Sequence, residues 1–145
     1  MSTSGGASRA GSFLLLRAGD DVCALPLSAV RRVVRALSVH PLPGAANELL
    51  GLAEFGGEPL AILDLARLVR AAPGANPACP VTVVVWIGPP ESREAVGLAA
   101  DAALEVVEIP LASIAGGDGG LLAGEAPVGE LVVRVLSLEA LGGAA

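Results

Sequence analysis

At 145 residues, the chain is long enough for one domain, or for two very small ones that share a core. A net charge of −6 at pH 7 argues against nucleic acid as a partner, because phosphates demand a positively charged face. Apolar residues make up 53% of the sequence and aromatic residues only 2%, so aliphatic side chains must fill the interior.

The sequence predicts a cytoplasmic protein that does not insert into a membrane. The longest apolar run, residues 81–87, falls well short of the roughly 20 residues that span a bilayer. The run at 13–16 is too short for the apolar part of a secretory signal. In a reducing compartment, Cys23 and Cys79 are expected to be buried thiols rather than a disulfide.

Apolar alternation and turn residues predict a chain of short strands. Residues 1–12, rich in Ser, Gly and Ala, are expected to form a disordered tail. Strands are predicted, in chain order, at 13–18, 22–25, 30–37, 49–55, 60–65, 81–87, 94–100, 103–109, 121–124 and 130–136. Helical turns are expected at 27–30 and 65–70, and a short C-terminal helix at 137–141, with Ser137 as its N-cap.

This strand spacing predicts an all-β fold of two small barrels. Short strands in close succession fit two closed barrels better than one flat sheet, because closure removes edges that hydrophobic strands would otherwise expose. Segment 71–80 contains three prolines and a glycine. It is therefore the predicted division between two barrel subdomains of one domain spanning 13–145.

The residues suggest no catalytic or metal chemistry. His40, the single histidine, precedes a proline in a predicted loop, and no activated Ser or Cys accompanies it. One histidine and two distant cysteines cannot supply a tetrahedral metal site. The glycine-rich run 116–120 lacks the Lys and Ser or Thr of a phosphate loop and has acidic Asp118 at its centre. We expect a protein that is not an enzyme and holds no cofactor.

A series of short motifs resembles a known family. The central motif is the hairpin G-L-A-E-F-G-G-E-P-L-A-I-L-D-L at 51–65. Upstream stand V-R-R-V at 30–33 and P-G-A at 43–45; downstream stand G-L-A-A-D at 97–101, G-E-L-V-V at 129–133 and L-E-A-L at 138–141. In this order and spacing, over about 13–141, they resemble the CheW-like family of bacterial chemosensory adaptors.

The resemblance implies two five-stranded SH3-like barrels packed on a shared interior. It implies an adaptor that links the cytoplasmic tip of a chemoreceptor, a helical hairpin, to the regulatory domain of a histidine kinase or to another CheW-like protein. The receptor tip would lie along a groove near the junction of the barrels. The residues that match this neighbourhood, and are our candidate partner-binding set, are Val30, Arg32, Val33, Val34, Glu54, Phe55, Gly56 and Gly57.

The sequence also departs from the family pattern. An arginine common in the hairpin is Gly56 here, and an acidic residue common in the Val-x-x-Val segment is Arg32. The loop 113–121 is short and rich in glycine. We therefore expect an accessory CheW-like adaptor with weakened kinase coupling. An ordinary receptor–kinase coupler remains open, and so does, from another class, a β-barrel that holds a small apolar ligand.

Two features of this surface have alternative interpretations. The cluster Arg31, Arg32 and Arg35 is either a solvated strand edge that discourages aggregation or a contact for an acidic or helical partner surface. Phe55, one of very few aromatic residues, is either a core residue or an exposed anchor.

Overall fold

The computed structural model describes residues 9–35, 37–44, 46–69 and 81–138, and within these ranges the protein consists mainly of β-strands. The strands are β1 (Ala10–Ala18), β2 (Asp21–Pro26), β3 (Val30–Arg35), β4 (Leu49–Phe55), β5 (Glu58–Asp64), β6 (Val81–Ile87), β7 (Glu94–Ala100), β8 (Ala102–Pro110), β9 (Ala115–Gly116), β10 (Leu122–Val128) and β11 (Leu131–Leu136). One helical turn, α1 (Leu65–Leu68), follows β5, and single 3₁₀ turns lie at Leu27–Ala29, Pro90–Ser92 and Leu111–Ser113. The predicted all-β class is confirmed.

The strands form two sheets that follow the same plan. The larger sheet has the order β8-β1-β2-β11-β10-β9, and the smaller has the order β3-β6-β7-β5-β4. All pairs are antiparallel except β2 with β11 and β5 with β7. The order β3-β6-β7-β5-β4 therefore repeats β8-β1-β2-β11-β10, with the parallel pair at the same place in each sheet.

The sheets are open, and the prediction of two closed five-stranded barrels is wrong in this detail. Strands β8 and β9 are the edges of the larger sheet, and β3 and β4 are the edges of the smaller one. Both sheets curl toward closure: β8 runs through one 3₁₀ turn into β9, and His40 forms an isolated bridge with Leu52 of β4. A two-residue strand and a single bridge are too short to complete a continuous ladder.

The sequence predicted that one subdomain ends and the next begins near 71–80. The two sheets do not divide the chain at that point. Residues 10–26 and 102–136 build the larger sheet, and residues 30–64 and 81–100 build the smaller one. Segment 71–80 lies outside the described residues, and the strands on either side of it, β5 and β6, belong to the same sheet. The physical reason is that β7 pairs in parallel with β5, and β6, antiparallel to β7, carries the chain back along the same sheet before β7 begins.

Several element boundaries differ from prediction. Strand β1 begins at Ala10, so residues 10–12 of the expected tail pair with the end of β8 instead; residues 1–8 lie outside the described part. Strand β3 ends at Arg35, and β10 continues to Val128. Of the helix expected at 137–141, only Ser137 and Leu138 are described, and neither is helical.

Alternation along the strands divides the interior into three clusters. On β6, Val83 and Val85 face the other sheet, and Val84 faces the small core enclosed by the curvature of its own sheet. The cluster between the sheets includes Leu16 of β1 and Leu65 of α1, both with no exposed surface. The two sheets are thus faces of one shared core, and burial of this apolar surface is the main force that holds them together.

Candidate functional site

The candidate partner-binding residues lie in two groups at opposite edges of the smaller sheet. The first group is on β3 and comprises Val30, Arg32, Val33 and Val34. The second group is the β4–β5 hairpin and comprises Glu54, Phe55, Gly56 and Gly57.

The strand register keeps these two groups apart. Val33 pairs with Val83, and the row continues through β7 and β5 to Leu49, the first residue of β4. Phe55 is the last residue of that strand. Sheet pairing therefore does not bring the β3 valines beside the hairpin turn. Whether one partner contacts both groups stays a prediction.

Strand β3 presents a mixed basic and apolar surface. A β-bulge between Val30 and Arg32 interrupts the alternation, so Arg31 and Arg32 are both exposed. Val33 is 43% exposed, whereas Val30 is half-buried and packs against the core between the sheets. Because β3 is a sheet edge, its outer backbone N–H and C=O groups have no strand partner in the described sheet.

Trp86, near the end of β6, carries two arginine side chains on its ring. The guanidinium carbon of Arg31 lies 4.6 Å from the ring centroid, and that of Arg93 lies 4.8 Å away. Both distances are within the range of a cation–π interaction. Arg31 comes from β3, and Arg93 from the connection that leads into β7, so the stack joins both neighbours of β6.

A groove of about 380 Å³ adjoins Trp86 at the point where the chain crosses between the sheets. Its walls come from the turn after β2, the β6–β7 connection and the segment after β11. The lining residues are Pro26, Ser28, Ala29, Trp86, Gly88, Pro90, Arg93, Ser137 and Leu138. Sequence reasoning did not select Trp86 or Arg93. The available signal was the single tryptophan of the chain, placed at the end of a strand of valines.

The β4–β5 hairpin has an exposed tip and a partly buried aromatic residue. Gly56 and Gly57 have φ angles of +61° and +82°, as a two-residue turn of type I′ requires. Nothing lies within 4 Å of the position that a side chain at Gly56 would first occupy, so the tip is an open surface. Phe55 is half-buried against the core inside the curl of the smaller sheet, so it is neither a full core residue nor a free anchor.

Two groups that could carry chemistry, the thiol of Cys23 and the carboxylate of Asp118, have structural environments. Cys23 is fully buried with a free thiol, and burial raises its pKa to about 12, so it is protonated and unreactive at neutral pH. Asp118 accepts hydrogen bonds from the Gly120 and Leu122 amides, at 2.8 and 3.2 Å, and so closes its own loop. Across the described ranges, no three His, Cys, Asp or Glu side chains are grouped to hold a metal ion.

Within the described ranges, no helix has the length and apolar character needed to cross a bilayer.

These features define an all-β domain of two curled sheets with open, partly apolar edges. The family model of the CheW-like domain matches residues 12–144, nearly the whole chain. The protein therefore belongs to the CheW-like family, whose scaffolding adaptors serve chemotaxis signalling.

Comparison with solved structures agrees on the fold. The chain is similar to the crystal structure of the scaffolding protein TtCheW from Thermoanaerobacter tengcongensis, with a TM-score of 0.76 and 18% identity. The alignment covers 90% of this chain and 91% of that one. No curated protein matches the sequence.

Proposed function

We propose that this protein is a non-enzymatic chemosensory adaptor that binds the cytoplasmic tip of a chemoreceptor. The observation that carries the proposal is its membership of the CheW-like family over nearly its full length. The exposed edge β3, with Val33 accessible beside a basic strand surface, supports it, because an adaptor without chemistry acts through shape and exposed apolar contacts. A receptor tip of this kind implies that the adaptor works in the cytoplasm.

We further propose an accessory role, with weakened coupling to the histidine kinase. Arg32 is exposed on β3 where the family commonly has an acidic residue, so the surface charge is reversed at this point. Gly56 offers no side chain at the hairpin tip, where the family commonly has an arginine. Besides the receptor tip, the protein would bind either the kinase regulatory domain, with low affinity, or another CheW-like protein.

Binding to an isolated receptor-tip hairpin tests this function. Val33→Asp places a charge on the exposed β3 edge, and Phe55→Ala removes the aromatic ring at the hairpin. If the residue lies at the centre of the contact, its substitution should weaken binding to the receptor tip by about 1–3 kcal/mol. Val132→Asp is the matched control, because Val132 is 65% exposed on the other sheet.

The two variants separate the two candidate groups. A loss for Val33→Asp alone assigns the contact to β3, and a loss for Phe55→Ala alone assigns it to the hairpin. Thermal unfolding of each variant must accompany the titration, since Phe55 also packs against the core. A folded wild-type protein that does not bind the receptor tip would overturn the proposed function.

A further inference from the structure

We propose that the surface around Trp86 docks an acidic protein segment. Carboxylates of the segment would bind Arg31 and Arg93, and one of its apolar side chains would enter the adjoining groove. This inference rests on the proposed adaptor function only in assigning the segment to a signalling partner. The chemistry of the surface stands on the contacts given above.

The first support is unbalanced positive charge. In the part of the chain that the structure describes, the ion pairs are Arg67 with Asp64 at 3.5 Å and Arg134 with Asp21 at 3.2 Å. The arginines of β3, and Arg93 beside them, therefore have no carboxylate within 4 Å there.

This positive charge is local to the β3 edge and Arg93. The described segments that build the smaller sheet hold five arginines and six carboxylates, and two of these, Glu91 and Glu94, lie within two residues of Arg93 in the sequence. In the described segments that build the larger sheet, 9–26 and 101–138, there are three arginines and eight carboxylates. A cluster of unpaired arginines on a protein of net charge −6 is complementary to an acidic partner.

The second support is the stacking of both guanidinium groups on one indole ring. Stacking fixes the planes of Arg31 and Arg93 before a partner arrives, so fewer rotamers are lost on binding. It leaves the N–H donors at the guanidinium edges available for carboxylate oxygens. Two cations so close to one ring also repel each other, and a bound carboxylate would relieve that repulsion.

The third support is the groove beside the stack. Its volume of about 380 Å³ suits one or two side chains, and its walls combine apolar Pro26, Ala29, Pro90 and Leu138 with polar Ser28 and Ser137. Tryptophan and arginine, which lie beside this partly apolar groove, are residue types that dominate protein–protein binding energy. The net charge of −6, and not the groove, favours a protein segment over nucleic acid, because the bases of a single strand could also stack on Trp86.

Titration with a defined probe tests the inference. The probe is a fluorescent peptide of Glu, Leu and Gly, compared with the same peptide carrying Gln at every Glu. The full chain should bind the Glu peptide at least about tenfold more tightly, because each charge-assisted hydrogen bond contributes more than a neutral one. The advantage should shrink as salt is raised, since the pairs are at the surface.

Variants then locate the probe. Arg31→Gln and Arg93→Gln should each weaken binding of the Glu peptide about tenfold. Trp86→Phe should weaken it about twofold to fivefold, because the smaller ring holds the arginines less well. Arg17→Gln is the matched control: Arg17 is an exposed arginine on β1 of the larger sheet, and its loss should change nothing.

Three results would overturn the inference: equal binding of the Glu and Gln peptides, an equal loss in Arg17→Gln, or tighter binding of a single-stranded oligonucleotide that is lost in the same variants. The peptide comparison uses unaltered protein and so decides even if a variant fails to fold. Receptor-tip binding without Glu-peptide binding removes this inference and leaves the adaptor function. Glu-peptide binding in a protein that does not bind the receptor tip supports this docking surface and removes the proposed function.

Discussion

Gly51 is the residue on which the curl of the smaller sheet depends most directly. Its φ angle is +149°, and a Cβ atom there would lie 2.2 Å from the carbonyl oxygen of His40. The close approach allows His40 and Leu52 to exchange hydrogen bonds of 2.8 and 3.0 Å. Any side chain at Gly51 would therefore push the 37–44 segment away from β4.

We predict that Gly51→Ala lowers the free energy of unfolding by at least about 2 kcal/mol, through backbone strain and the clash together. Gly56→Ala is the control, because its φ is also positive but its surroundings are open, so it should lose only about 1 kcal/mol. Urea denaturation of both variants measures the difference. Equal losses would show that the contact with His40 does not matter.

Cys23 makes stability depend on pH in the alkaline range. Its thiol has an ordinary pKa of 9.0, raised to about 12 in the folded protein, mainly by burial; Arg134 lowers the pKa somewhat, and Asp21 adds to the rise. Above 9.0 the unfolded chain has lost this proton and the folded chain has not. The unfolded state then binds fewer protons, so stability falls as pH rises from 9.0 toward about 12.

The prediction is a difference between wild type and Cys23→Ala. The unfolding free energy of the wild type should fall relative to that of the variant by at most about 1.4 kcal/mol per pH unit in this window, and by nothing below it. Denaturation at several pH values measures the difference, which also cancels the contribution of Cys79. A difference that does not vary with pH would mean that the thiol of Cys23 titrates normally in the folded state.

At this scale, the sequence predicted the burial of Cys23 but not the contacts that side chains make across the sheet. Cys23 in a strand predicts a buried thiol, because a strand packed on both faces leaves no room for solvent. The half-buried state of Phe55 and the stacking of Arg31 and Arg93 on Trp86 were not predictable. They depend on which strands are neighbours in the sheet, and the chain separates Arg31 from Trp86 by more than two strands.

At the scale of the elements, local signals located most strands because hairpins form between neighbours in sequence. The sequence pattern predicts turns at 19–21 and at Gly56-Gly57; the second is confirmed, and the first is one residue shorter because Asp21 already belongs to β2. The sequence analysis did not use one repeated signal. Gly51 lies five residues before the turn Gly56-Gly57, and Gly124 lies five residues before the turn Gly129-Glu130. Gly51 and Gly124 each have a positive φ angle at a β-bulge. This repeat marks β4–β5 and β10–β11 as equivalent hairpins.

Which strands share a sheet could not be predicted in the same way. The parallel pairs β2–β11 and β5–β7 join strands that are distant in sequence, and no turn residue records such a pairing. The prolines at 73, 77 and 80 indicated a boundary because composition marks loops, and a loop within a sheet looks the same as one between sheets.

The strand order predicts how fragments of the chain behave. A fragment of residues 1–70 lacks β6 and β7, which separate β3 from β5 in the smaller sheet. A fragment of residues 71–145 lacks β1 and β2, which lie in the middle of the larger sheet. Each fragment alone should be unfolded by circular dichroism and amide dispersion in NMR, and an equimolar mixture should recover β structure. A fragment that folds alone would contradict the shared core.

At the scale of the whole molecule, the fold is that of the family, and the exposed charges are divided unevenly over its surface. The described part of the larger sheet is strongly acidic, and the β3 edge of the smaller sheet is basic. Core residues between the sheets are set by packing and tolerate little change, whereas an edge strand exchanges its charges at small cost in stability. A reversed charge on an edge therefore alters partner choice before it alters the fold.

Kinase coupling is where this reversal should be measurable. Micromolar affinity corresponds to only about 8 kcal/mol, and removing one partner of a buried charged pair costs about 2–5 kcal/mol. With Arg32 in place of an acidic residue and no side chain at Gly56, we predict that calorimetric titration with the regulatory domain of the cognate kinase gives weak binding or none. A typical CheW-like protein from the same cell should bind it measurably.

Restoring the family pattern should then restore affinity. Arg32→Glu combined with Gly56→Arg is expected to strengthen kinase binding at least tenfold, roughly 1.4 kcal/mol, because both partners of the charged contacts return. Arg17→Glu combined with Gly129→Arg is the matched control: it changes an exposed arginine and a turn glycine of nearly equal φ on the larger sheet. If the unaltered protein binds the kinase as tightly as the typical adaptor, and activates it when no other adaptor is present, the accessory role is wrong and the protein is an ordinary coupler.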